Sequence, residues 1–168
     1  MKAGFSLLEL LVVLAMGLIM LLMSIPAYQH LFEKTQSSNV INQLIAAINA
    51  ARTEAIAGNQ VIVLCGSSNG LQCDGQWQKG MLLIDPNDMV LRNFSALPLG
   101  DRLWWQSSLG TDDFLKLAPT GFTDGQRGSF YYCPRYNPVK YGAKITISDS
   151  GRARVDTDTQ TLEASCQT

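Results

Sequence analysis

The feature that most constrains this chain is an apolar block near its start, Leu7 to Ile25, interrupted by a single charge at Glu9. At about 1.5 Å of rise per residue, a helix over this block nearly spans the roughly 30 Å hydrocarbon core of a bilayer. Lys2 ahead of it favours a cytoplasmic N-terminus, which places the rest of the chain outside the cytoplasm. An ordinary secretory signal would have a shorter apolar core followed by a small-residue cleavage site. The residues that follow here, Ser24-Ile25-Pro26-Ala27-Tyr28, contain no clear one. Glu9 is the oddity, because an isolated carboxylate in lipid is costly and needs a partner.

Beyond the block, Val40, Ile41, Leu44, Ile45, Ile48, Ala51, Ala55 and Ile56 recur at three- and four-residue steps. This is one apolar helix face, with Arg52 and Glu54 off it and Gly58-Asn59 as a stop. The expectation is one helix from about Phe5 to Ala57. After Gly58 the pattern shortens to strands: Gln60 to Cys65, Met81 to Ile84, Val90 to Phe94, Leu103 to Gln106, Phe114 to Leu117, Ser129 to Tyr132, Lys144 to Ser148 and Arg152 to Asp156. Asp85-Pro86-Asn87-Asp88 and Asp149-Ser150-Gly151 mark turns between them. The fold class expected is α+β: a long N-terminal helix, half membrane-spanning and half amphipathic, packed on an antiparallel β-sheet domain. Trp77 is read as core.

All four cysteines, Cys65, Cys73, Cys133 and Cys166, follow the apolar block. With one histidine, His30, a zinc site is poorly supported, and two disulfides in an oxidising compartment fit better. Three pairings are possible. Short loop closure favours Cys65–Cys73, and Cys133–Cys166 would pin the C-terminal tail. No Ser-His-Asp arrangement, phosphate loop or dinucleotide fingerprint is evident. The carboxylate pairs Asp112-Asp113 and Asp156/Asp158 read as solvated loop residues. The expectation is a chain that is not an enzyme and has no cofactor.

Charge is uneven. Between Arg127 and Arg154 lie Arg127, Arg135, Lys140, Lys144, Arg152 and Arg154 against one acid, Asp149, in a chain of net charge −1. Alternation places Ile145, Ile147, Ala153 and Val155 toward the core and Lys144, Thr146, Ser148, Arg152 and Arg154 toward solvent. Tyr131, Tyr132, Tyr136 and Tyr141 are interleaved nearby. Arginine with hydroxyl and aromatic neighbours suits phosphate and base contacts. On residue types alone, a solvated hairpin paired to Asp149, Asp156 or Asp158 is an equal reading.

Gly4-Phe5-Ser6-Leu7-Leu8-Glu9-Leu10-Leu11 resembles the class III signal of type IV prepilins and pseudopilins. The resemblance implies that a prepilin peptidase cuts after Gly4 and that Phe5 is then methylated. Glu9 would pair with the N-terminal amine of a neighbouring pilin subunit during assembly. Residues 1–4 would be leader and 5–25 the transmembrane and assembly half of the helix. Residues 26–168 would be a pilin-like periplasmic or extracellular domain that includes the rest of the helix. The chain would cross the inner membrane once and join a filament.

Cys73-x-x-x-Trp77-x-x-Gly80, Gly121-Phe122, Phe130-x-x-Cys133 and Gly151-Arg152-x-Arg154 resemble the FimT/GspH branch of minor pilins and pseudopilins. The last resembles the DNA-binding motif of FimT proteins in natural transformation, which implies DNA contacts by Arg152 and Arg154. Charge and spacing add Lys144, Lys140 and Arg135. The alternatives are a GspH-like pseudopilin of a type II secretion system, or a minor pilin that primes pilus assembly without touching DNA.

Overall fold

A computed structural model of the chain describes residues 6–110, 113–156 and 159–166, without the side chains of 22–27, 29, 159 and 161. Gly4, Phe5, Asp112 and Asp158 lie outside the described residues. The chain divides into two compact units, Met1–Gln36 and Ser37–Thr168. Helix α1, Leu7–Gly58, contributes to both.

In the first unit the described apolar side chains are largely exposed. Leu7, Leu8, Leu10, Leu11, Val13 and Leu14 are each more than half exposed. Among the described residues no helix is long and apolar enough to cross a membrane. The described side chains stop at Leu21 and resume at Tyr28, so they cover only part of the apolar block.

In the second unit, most of the predicted face of α1 is buried, but Ile56, near the end of the helix, is 51% exposed and does not belong to the core. Val40, Leu44, Ala47, Ile48, Ala51 and Ala55 enter the core. The helix ends where Asn59 takes a left-handed φ of 46°, a conformation asparagine tolerates better than most residues.

Among the described residues eight strands follow: β1 Ile62–Gly66, β2 Met81–Ile84, β3 Val90–Phe94, β4 Arg102–Ser107, β5 Phe114–Leu117, β6 Gly128–Cys133, β7 Ala143–Ile147 and β8 Ala153–Asp156. They form two antiparallel sheets rather than one, in the orders β3-β2-β1-β5 and β4-β6-β7-β8. Two short helices were not foreseen: α2, Pro138–Tyr141, and α3, Thr159–Cys166. Leu64, Leu83, Leu115 and Leu117 from the first sheet share one core with Trp105, Phe130, Ile145 and Ile147 from the second. Trp77 is buried in it, edge-on to Phe130 with ring centroids 4.9 Å apart, as its core reading required.

Both favoured disulfides form. Cys65–Cys73 closes the loop after β1, with Cα atoms 5.6 Å apart. Cys133–Cys166 fastens α3 to the end of β6, with Cα atoms 5.8 Å apart, and Leu162 is buried beside it. The predicted turn at Asp85 is built by its carboxylate, which accepts the N–H groups of Met89 at 2.8 Å and Asn87 at 2.9 Å. The bond from Met89 leads in holding that carboxyl below its ordinary range. At the edge of the first sheet, the Lys116 N–H of β5 donates to Gln126 Oε1 at 2.7 Å, and Gln126 is buried. Just beyond, the Ala118 N–H donates to the Phe122 carbonyl at 2.8 Å.

Candidate nucleic-acid interface

The hairpin β7–β8 turns through Asp149, Ser150 and Gly151. The Gly151 N–H donates to the Ser148 carbonyl at 2.8 Å, and the Ser148 N–H donates to the Arg152 carbonyl at 3.1 Å. Gly151 has φ +70°, which a side chain disfavours. The loop beneath holds the turn in place: the Thr123 N–H donates to the Asp149 carbonyl at 2.9 Å. The Gly121-Phe122 and Gly151-Arg152-x-Arg154 motifs, far apart in sequence, thus meet in space.

Register fixes what each face of the second sheet presents. Tyr131 lies between Trp104 and Lys144, and Lys144 lies opposite Asp156. The next row is Gln106, Ser129, Thr146 and Arg154. These two rows form the outer face. Ile145 and Ile147 point to the core, as alternation required. Ala153 is half-buried, but Val155 is 38% exposed and is not a core residue. β8 is the sheet's edge strand, and the core does not extend beneath Val155.

Of the sequence-predicted DNA contacts, the outer face gathers Lys144 and Arg154, with Arg152 just beyond at the hairpin turn. Arg152 and Arg154 are exposed. Among the described residues no ion pair joins either to a carboxylate; Asp149 instead pairs with Arg127 at 3.6 Å. Lys144 is half-buried, its ammonium 5.7 Å from the centre of the Tyr131 ring.

Lys140 and Arg135 are not brought to this group. Lys140 sits on α2 over the ring of Tyr141 at 5.2 Å, at the end of the sheet where β7 begins. Arg135 follows β6 at the same end, over the ring of Tyr136 at 5.3 Å. Its backbone N–H donates to Asp101 Oδ1 at 2.8 Å. Arg152 lies at the opposite end of the strands, so the six basic residues form two groups with Lys144 between them.

Two features of this face were not foreseen from sequence. Trp104 and Tyr131 stack, with centroids 5.4 Å apart and an interplanar angle of 12°. Arg102 lies over Trp104 at 6.0 Å, which continues the row to a second cation. Beside the aromatic row, the Ser129 and Thr146 hydroxyls bond at 3.2 Å on the floor of a groove of about 510 Å³. Strand alternation would have placed Gln106, Ser129 and Thr146 on one side, but only strand pairing makes them neighbours. Glu9 is exposed on α1 in the first unit.

A long N-terminal helix feeding an antiparallel sheet domain, with that domain's loops tied by disulfides, defines a pilin-like protein. Residues 40–151 match the family model of the type II transport protein GspH, and the chain belongs to that family. Among solved structures it is similar to the type IV minor pilin FimU of Pseudomonas aeruginosa strain PAO1. The identity is 18% and the TM-score 0.56, over 77% of this chain and 92% of that one. It is also similar to the minor pseudopilin EpsH of the type II secretion system of Vibrio cholerae. There the identity is 11% and the TM-score 0.52, over 71% of this chain and 94% of that one. At such identities the likeness is one of fold. No curated protein matches the sequence.

Proposed function

We propose that this chain is a minor type IV pilin that binds DNA without sequence preference through the β7–β8 hairpin, for DNA uptake in natural transformation. The observation that carries this reading is the pair Arg152 and Arg154, both exposed, one at the hairpin turn and one on β8, with no ion pair to a described carboxylate. Arginines so placed meet phosphates, which are the same at every base pair. Anchoring would come from the apolar half of α1, whose exposed leucines need lipid or neighbouring helices around them. Prepilin peptidase, the inner membrane and other pilin subunits are the partners this requires, and no catalysis is involved.

The second reading is a pseudopilin of a type II secretion filament. The family match and the likeness to EpsH favour it, and in it the hairpin touches no DNA. The deciding experiment is a fluorescence-anisotropy titration of labelled duplex DNA with the full chain in detergent micelles. Binding that weakens in the Arg152→Gln, Arg154→Gln double variant supports the DNA reading. No binding at low salt turns the assignment to secretion.

A further inference from the structure

We infer that the end of the second unit where α1 enters it docks on anionic phospholipid headgroups, through Arg135, Lys140, Tyr136 and Leu99. This rests on the reading of the apolar half of α1 as a membrane anchor. It gives Arg135 and Lys140, which the fold keeps apart from the hairpin, a ligand of their own.

Within the second unit, α1 runs from one basic group to the other. At its start the Ser37 hydroxyl donates to the Tyr141 carbonyl of α2. Near its end Ile56 lies against the loop that supports the hairpin, where a Cβ on Gly121 would be 2.8 Å from Ile56 Cδ1. Arg152 is therefore at the far end, and Arg135 and Lys140 are at the end of Ser37. Chain continuity alone makes this the end nearer the apolar block. Ile25 and Ser37 are twelve residues apart, at most about 18 Å of helix. The headgroup layer fills about 5–7 Å of that. What is left is little more than one Debye length, about 8 Å at physiological salt, before any side chain reaches across.

The surface at this end combines charge, aromatic rings and an exposed apolar side chain. Arg135 and Lys140 are exposed, and among the described residues neither forms an ion pair. Arg102, exposed at the same end of β4, adds a third cation. Tyr136 is 59% exposed and Leu99 is 91% exposed. Gly100 brings Leu99 beside Arg135, since a Cβ on Gly100 would be 2.7 Å from Arg135 Cδ. Of the described acids at this end, Asp101 is buried and turned inward to the Tyr132 hydroxyl, and Asp156 lies opposite Lys144. Glu163, on the neighbouring α3, stands against the three exposed cations. The segment is also held at both ends, by the Arg135 N–H on Asp101 and the Tyr141 carbonyl on Ser37. Tyrosine favours the headgroup level, and basic side chains are drawn to an anionic leaflet. An exposed leucine gains from acyl carbons beneath headgroups and gains nothing from a phosphate backbone alone.

The test reconstitutes the full chain into vesicles of phosphatidylcholine, with and without phosphatidylglycerol. Both carry a trace of lipid with a photoactivatable headgroup, and adducts are mapped by mass spectrometry. Adducts over 135–141 should rise with phosphatidylglycerol by up to about 25-fold, about fivefold for each of the two cations. Arg135→Gln, Lys140→Gln should abolish the rise and leave duplex DNA binding nearly unchanged, and Arg152→Gln, Arg154→Gln should keep it.

Equal adducts in the two vesicles, or a rise that survives Arg135→Gln, Lys140→Gln, overturns the inference. So does a loss of duplex binding in that variant as large as in Arg152→Gln, Arg154→Gln, which would assign this end to DNA. Flotation of the chain with both vesicles shows that the anchoring reading stands in those cases. A chain that floats with neither vesicle brings down the anchor and the inference together.

Discussion

A Cβ placed on Gly151 would lie 2.3 Å from the carbonyl oxygen of Gly121. No side chain fits there without moving backbone, and the φ of +70° disfavours one in any case. Gly151→Ala is therefore expected to destabilise the fold by at least roughly 1–3 kcal/mol. It should also lift the hairpin from its loop and weaken DNA binding, although residue 151 brings no charge. Chemical denaturation and the anisotropy titration check the two effects, and an alanine variant as stable as the parent would show that the contact is absent.

Replacing Arg152 and Arg154 by glutamine should change salt dependence more than stability. Each neutralised phosphate contributes about −0.9 to the log–log slope on duplex DNA, so the double variant should be flatter by about two. Exposed substitutions of this kind usually alter stability by no more than about 0.5 kcal/mol. An unchanged slope in a folded double variant would remove both residues from the interface.

Tyr132 couples stability to alkaline pH. It is buried, and its hydroxyl donates to Asp101 Oδ2 at 2.6 Å. Burial first, and then the bond to Asp101, push the phenol far above its ordinary value. The unfolded chain ionises this tyrosine near pH 10 while the folded chain does not. The contribution is therefore whole below about pH 10 and declines as pH rises above it. Tyr132→Phe should flatten that alkaline decline, and should cost roughly 1–3 kcal/mol at neutral pH by taking one partner from the buried Asp101. Denaturation midpoints measured from neutral to alkaline pH test both statements.

Reduction should loosen the C-terminal end before the core. Helix α3 has eight residues, and of its described side chains Leu162 and Cys166 are buried. Losing the Cys133–Cys166 bridge is expected to cost about 2–4 kcal/mol. A Cys133→Ser, Cys166→Ser variant should melt earlier and exchange amide hydrogens faster over 159–166. Equal melting temperatures with and without reductant would argue against the bridge as a brace.

Processing at the N-terminus gives the last prediction. Mass spectrometry of protein extracted from membranes should find a mature chain that begins at Phe5, cut after Gly4. Glu9→Ala should still insert but be poorly incorporated into filaments, because a carboxylate in apolar surroundings needs the mature amine as partner. A mature start after Ala27, or normal incorporation of the variant, would count against the assembly role.

Much of the fold was legible because burial imposes a period. Leu44, Ile48, Ala51 and Ala55 mark the inward face of α1, and Ile145 and Ile147 that of β7. Helix α3 was not legible, since one inward pair, Leu162 and Cys166, is too little to show a helical period. Its position depends on the disulfide and on the sheet it covers. Val155 misled because alternation records which way a residue points, and not whether anything lies there to cover it. The site was half legible for a related reason. Arg152 and Arg154 are neighbours in sequence, whereas the stack of Trp104 on Tyr131 arises from pairing between β4 and β6. Nothing local in either strand encodes it.

Gln126 has a consequence for assembly. By accepting the Lys116 N–H, with Ala118 already bonded to Phe122, it takes up the backbone donors with which β5 would recruit another strand. The first sheet is thereby closed to growth along this part of its border. Copies of the chain crowded together therefore cannot fuse sheet to sheet through this stretch of β5.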